Sequence, residues 1–169
     1  REANVNMLES ERRLKEAVRF DDCKVYIGQG FIGSNNQGRP TTLGREGSDY
    51  TAAVVGNLLD AESVTIWKDV PGVLNADPRI FENTIHIPEL TYLDAVELAY
   101  SGAQVIHPKT IKPLENKRIP LFVRPFNNPT AYGSVIKSEI AKPIEVPVLI
   151  LKKNQVLFTL RPLDFSFIL

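Results

Sequence analysis

Arg45 stands between two glycines in the stretch TTLGREGSDYTAAVVGNLL, residues 41–59, and Ser48 and Asp49 follow it where apolar residues begin to recur at helical spacing. Residues of these types can do one of two things here. Ser48 or Asp49 can cap the helix while the glycines make the turn. The loop can also receive an anion, with the Arg45 guanidinium joined by free backbone N–H groups and the positive end of the helix dipole. A second charged loop, KDVPGVLNADPR (residues 68–79), comes directly after the short apolar stretch ESVTIW. Its Lys68, Asp69, Asp77 and Arg79 lie among two prolines and a glycine, so charge and irregular backbone coincide there. Asp77, just before a proline, is expected to form a turn rather than hold a ligand.

These loops need elements to hold them. The spacing of Met7, Leu14 and Val18 predicts a helix over residues 3–19, and KVYIGQGFIGS predicts a strand that runs out into the turn NNQGRP. A helix is expected over residues 49–59, then a strand at ESVTIW with Trp67 in the core, then a long irregular loop over residues 68–79. Thr91 and Asp94 form a capping-box pattern ahead of AVELAYSGA, with Gly102 as the stop. Pro108 opens another helix, PKTIKPLENK, with His107 read as a structural residue in front of it. IPLFVRPF is a strand, NNPTAYGS a turn and VIK a last short strand. Strands that are apolar throughout and alternate with helices indicate an α/β fold, a sheet with helices on both faces in three layers. Ligands in such folds gather outside the carboxyl ends of the strands, where both charged loops are expected to lie.

Past residue 136 the character changes. KSEIAKPIEVP (residues 137–147) reads as a polar linker, and VLILKK and VLFTLRP as two strands joined at NQ, with LDFSFIL starting a helix whose aromatics serve a further core. A two-stranded ribbon is marginal alone, so residues 148–169 read as the opening of a second domain.

Bulk properties exclude several functions. Lys+Arg and Asp+Glu are 20 each, a balance that a nucleic-acid binder would not show. One cysteine allows no internal disulfide, and two well-separated histidines give no zinc cluster. The charged start REANVNMLESERRLKE is not a signal peptide, and no apolar run reaches the ~18 residues of a membrane span. A cytoplasmic protein without membrane or nucleic-acid partners is expected.

Three blocks, GFIGSNNQGRPTTLGREGSDYTAA, VTIWKDVPGVLNADPR and ELAYSGAQVIHPKTI, together resemble aspartate kinase of the amino-acid kinase superfamily, in order and spacing, across roughly residues 25 to 136. Residues 148–169 resemble the first strands of the ACT regulatory domain that follows in that family. The resemblance implies that residues 1–136 are the carboxyl-terminal, nucleotide-side part of the kinase domain and that its Lys-Phe-Gly-Gly phosphate-binding strand lies upstream. It implies transfer of the γ-phosphoryl of ATP, with Mg²⁺, to the side-chain carboxylate of L-aspartate, in a parent that forms homo-oligomers. Arg45 would grip the α-carboxylate, assisted by Gly47 and Ser48. Asp49, Lys68, Asp69, Leu74, Arg79, Gln104 and Val105 would lie on the ATP side, with no metal held by the protein alone. Glu46, Leu74 and Gln104 depart from the small or polar, aromatic and lysine residues that many relatives place there. Two other readings remain: a related kinase such as acetylglutamate or glutamate kinase, and a nucleotide-binding or assembly module without turnover in the isolated chain.

Overall fold

A computed structural model describes residues 3–103 and 105–159. The expectations for Gln104 and for residues 160–169, including the LDFSFIL helix, lie outside the described residues.

Helix α1 (Met7–Ala17) begins at Asn6, whose side chain accepts the Glu9 N–H. It is a charge-laced surface helix, with Glu9 bonded to both Arg12 and Arg13. Those two guanidinium groups lower the Glu9 pKa to about 2. Strands β1 (Ile32–Ser34) and β2 (Pro40–Thr42) form an antiparallel hairpin over the NNQGRP turn. The strand expected over residues 24–34 is therefore only its last three residues. Residues 24–30 find no ladder partner among the described residues, and Ile27 is 98% exposed. A β-branched run makes a strand only where a sheet edge accepts its hydrogen bonds.

Helix α2 (Gly47–Leu58) leads into β3 (Val64–Lys68), the first strand of a four-stranded mixed sheet. Strand β4 (Val73–Leu74) and β5 (His86–Ile87) form a small antiparallel hairpin, and β6 (Glu89–Thr91) runs into helix α3 (Tyr92–Ser101). Helix α4 (Pro108–Glu115), β7 (Leu121–Pro125) and β8 (Ser134–Lys137) complete the order. The sheet runs β3-β7-β8-β6, with β3 parallel to β7, β8 parallel to β6, and β7 antiparallel to β8. The loop expected over residues 68–79 thus contains a strand, too short to show any periodicity.

Alternate residues of β3 and β7 (Val64, Ile66, Leu121, Val123) enter one apolar cluster with Leu90 and Ile136. Ala53, Ala95, Ile111 and Leu114 bring α2, α3 and α4 onto it. Gly56 lets α2 press against the strand, since a Cβ there would collide with Val64 Cγ2. The other parity of β3 and β7 faces away, and Trp67 is 45% exposed there, not core as expected. Being nearly continuous in apolar residues, ESVTIW hid which parity faces inward. The Arg124 guanidinium on that face stacks over Phe122 and Tyr132.

The capping box of α3 is present in both directions, Thr91 Oγ1 accepting from Asp94 N–H and Asp94 accepting from Thr91 N–H, and Gly102 ends the helix. Ile144, Val146 and Val148 pack against the core, and the Leu149 N–H donates to Asn75 O at 2.7 Å. Residues 148–159 form no strand, in contrast to the expected ribbon. No described helix is long and apolar enough to cross a membrane.

Candidate functional site

The Arg45 loop is set by its two ends. Before it, the Leu43 N–H donates to Phe31 O at 2.9 Å. After it, the helix starts at Gly47, with Glu46 in the cap position at φ 51° and without a side-chain cap bond. Of the two readings of this stretch, capping of α2 by Ser48 or Asp49 does not hold: both lie inside the first turn, because Glu46 takes the left-handed conformation that closes the loop. No side chain caps the helix start, and of its first-turn N–H groups Gly47 donates to Gly44 O and Tyr50 to Glu46 O, which leaves those of Ser48 and Asp49 to face the loop. Glycine is required at position 47, where a Cβ would meet the Phe31 ring at 2.7 Å. The Thr51 hydroxyl locks this corner, donating to Gly47 O at 2.7 Å and accepting the Phe31 N–H at 3.0 Å.

Arg45 and Glu46 line a cavity of about 500 Å³ whose other wall includes Tyr100, His107, Lys109 and Lys112. Three basic side chains against one acid favour an anion in it. Glu46 Oε2 is buried and has no hydrogen-bond partner among the described residues. Nδ1 of His107 accepts the Lys109 N–H at 3.1 Å and caps α4, which leaves Nε2 carrying the proton in the neutral ring. The Lys109 ammonium reaches across to Leu43 O at 2.9 Å and lies 4.7 Å from the Tyr50 ring centroid.

The second charged loop meets the first at the strand end. Helix α2 runs back along β3, so its first turn faces the carboxyl end of that strand. Lys68 donates there to Asp49 Oδ2 at 2.6 Å, with both side chains largely sheltered. Phe126 N–H donates to Lys68 O at 2.7 Å, which ties the same point to the end of β7. Asp69 opens the following loop. Leu74 is half-buried in β4 opposite His86. Arg79 is held locally by Asp77, with Nε and Nη2 at 3.0 and 2.9 Å, and the Asp77 carboxyl is lowered in consequence. The Asp77 carbonyl also accepts from Ile80 and Phe81, so Asp77 makes a turn. Val105 borders a small apolar hollow with Val73, Leu98 and Ile136. The structure therefore joins Asp49 to Lys68 and sets Ser48 beside them in sequence. Arg45 opens into the cavity next door, Arg79 is near enough to Asp69 to feel its charge, and the hollow that Val105 borders shares Ala99, Ala103 and Ile106 with that cavity.

Sequence reasoning missed the groups that aim the β4–β5 hairpin. Ser134 Oγ accepts the Val73 N–H at 2.8 Å and donates to Ile87 O at 2.6 Å. Its single hydrogen is then used, so the contact with His86 Nε2 at 3.1 Å requires that nitrogen to carry a proton. Desolvation lowers the His86 pKa, which favours the neutral ring. Asn75 Oδ1 accepts from Ile85 N–H at 2.7 Å, and its Nδ2 donates to Pro147 O at 3.1 Å. Asn75 stood in the irregular loop 68–79 and Ser134 at the end of the NNPTAYGS turn, so neither carried more than a loop or turn signal in the sequence.

Among the described residues, no group of three or more His, Cys, Asp or Glu side chains is placed to hold a metal ion. Taken together, an arginine in an anion-favouring cavity lies one helical turn from an ammonium–carboxylate pair at a strand end. This arrangement favours anions, and among the described residues none of its side chains is paired with a base that would activate it as a nucleophile.

Residues 3–125 match the amino acid kinase family. Over 140 residues the chain is 45% identical to lysine-sensitive aspartokinase 3 of Escherichia coli strain K12, covering 83% of this chain and 31% of that one. It is similar to the crystal structure of E. coli aspartokinase III with lysine and aspartate, with TM-score 0.72 and 40% identity over 84% of this chain and 32% of that one. A second structure of aspartokinase III, with aspartate and ADP, superposes with TM-score 0.65 and 46% identity, over 68% of this chain and 26% of that one. The chain thus spans about a third of the length of that E. coli aspartokinase.

Proposed function

The chain belongs to the amino acid kinase family, and on that premise we propose that it forms the amino-acid- and nucleotide-binding portion of an aspartate kinase. The reaction is transfer of the γ-phosphoryl of ATP to the side-chain carboxylate of L-aspartate. The observation that carries this reading is the Arg45 cavity beside the Lys68–Asp49 pair, in a chain whose aspartokinase relative holds aspartate and ADP.

The chemistry suits such a site. An aspartate side chain with a pKa near ~3.9 is already ionised at neutral pH, so it needs no general base. The difficulty is bringing two anions together, and fixed cations and donors address it. Arg45 receives the α-carboxylate in the bidentate manner a planar guanidinium allows, with the Ser48 N–H at the helix start, while Gly47, its own N–H held by Gly44 O at 3.0 Å, shapes the turn. Lys68 gives one N–H to Asp49 and keeps two for nucleotide phosphates. Asp69, Leu74, Arg79, Gln104 and Val105 complete the nucleotide side in this reading. Mg²⁺ in phosphoryl-transfer sites is held by one or two carboxylates together with substrate phosphates. Asp49, through the carboxylate oxygen not bonded to Lys68, and Asp69 would hold the ion, which when bound would neutralise phosphate charge. In this reading the parent enzyme works in the cytoplasm as a homo-oligomer.

Isothermal titration of the 169-residue chain tests the reading. ADP and L-aspartate should each bind, with aspartate preferred over L-glutamate by at least tenfold. Equal or tighter binding of glutamate would transfer the chain to another acceptor and end this proposal.

A further inference from the structure

We propose that Lys109 is a positioning residue for the amino-acid site: its one ammonium clamps both ends of the loop that carries Arg45. The inference rests on the aspartate-binding reading for its consequence, though not for its geometry.

The loop needs such a clamp. Gly44 at φ 78° and Glu46 at φ 51° flank Arg45, and a left-handed non-glycine residue persists only where its surroundings enforce it. The cap position of α2 lacks the side-chain bond that would ordinarily fix the helix entry. The Gly47 N–H on Gly44 O and the Thr51 hydroxyl on Gly47 O hold the loop's far side, and Lys109 adds a restraint at each end from a separate helix. On the near side it donates to Leu43 O at 2.9 Å, the carbonyl directly before Gly44. The Leu43 N–H is already held by Phe31 O, so both backbone polar groups at the loop's root are then satisfied. On the far side the same ammonium lies over the ring of Tyr50, in the first turn of α2.

The clamp stands on a firm base. Helix α4 is anchored in the core by Thr110, Ile111 and Leu114, each fully buried. Its start is fixed by the His107 cap and by Pro108 in the first turn. Lys109 thus carries the rigidity of the core to a loop 66 positions away in sequence. It also lines the cavity with Arg45, adding positive potential where a carboxylate would sit.

Hydrogen exchange and titration on the 169-residue chain test this together. In Lys109→Ala, amides of residues 45–47 should exchange at least tenfold faster while those of β3 and β7 keep their rates. L-Aspartate binding should weaken at least tenfold and ADP binding should not change. Lys109→Arg, which retains a cation and donor, should restore both. Unchanged loop exchange, acceleration that extends to β3 and β7, or equal weakening of ADP would overturn the proposal. Should the unaltered chain bind no aspartate, the amino-acid reading fails, and loop exchange in the two variants still decides whether Lys109 is the clamp.

Discussion

At the residue scale, the chemistry depends on how few groups must be placed and how far apart in sequence they lie. Arg45 and Lys68 were legible because charge beside glycine and proline, at the edges of apolar segments, stands out in any reading. Their partners were not. Lys109 reaches Leu43 from 66 positions away, and Ser134 receives the Val73 N–H from 61. No local pattern encodes such pairs, since a lysine after His-Pro or a serine after glycine is unremarkable until the sheet brings them together. Glu46 was legible as an oddity, and the structure gives it a backbone role at the head of α2. For Arg45 the expectation is sharp. Arg45→Ala should weaken L-aspartate by about 10- to 100-fold, the scale of a charge-assisted contact of ~1.5–3 kcal/mol, and leave ADP unchanged. Titration with both ligands checks it, and a loss confined to ADP would move Arg45 to the nucleotide side.

At the scale of elements, helices with end signals were read well. The Thr91–Asp94 box, the Gly102 stop and Pro108 at the start of α4 all appear in the structure because capping is a local interaction. Strands of two or three residues were not, so β4, β5 and β6 went unseen, and residues 24–30, with no ladder partner among the described residues, were over-read. Helix α3 also supplies a pH-dependent tie to the start of β7. Tyr92 is buried and its hydroxyl donates to Ile119 O at 2.6 Å. Burial pushes its pKa from 10.0 up to about 12. A raised folded pKa means that the stabilisation is complete below pH 10 and is lost as the pH rises to about 12. Thermal unfolding across that window should show the unaltered chain losing stability more steeply than Tyr92→Phe. At neutral pH the variant should be less stable by ~1 kcal/mol, for the lost hydrogen bond. Parallel curves for the two proteins would contradict this account of Tyr92.

At the scale of the whole molecule, the chain joins the two charged loops at one corner of a mixed sheet, as alternating apolar strands and helices led one to expect. Residues 144–149 add a feature that composition did not reveal. They read as linker and ribbon, yet Val146 and Val148 pack on the core and Asn75 bonds to both Pro147 and Leu149. A polar, proline-containing stretch hides such docking, since its few apolar residues have no period. Because the chain corresponds to 31% of its E. coli relative, the central claim is best tested in a complete enzyme. The 140 matching residues of that relative would be replaced by those of this chain, and aspartyl phosphate trapped with hydroxylamine as the hydroxamate. The account predicts ATP-dependent hydroxamate from L-aspartate and not from L-glutamate, reduced about 100-fold or more by Arg45→Ala. A folded chimera that binds ATP and forms no aspartyl hydroxamate would contradict it.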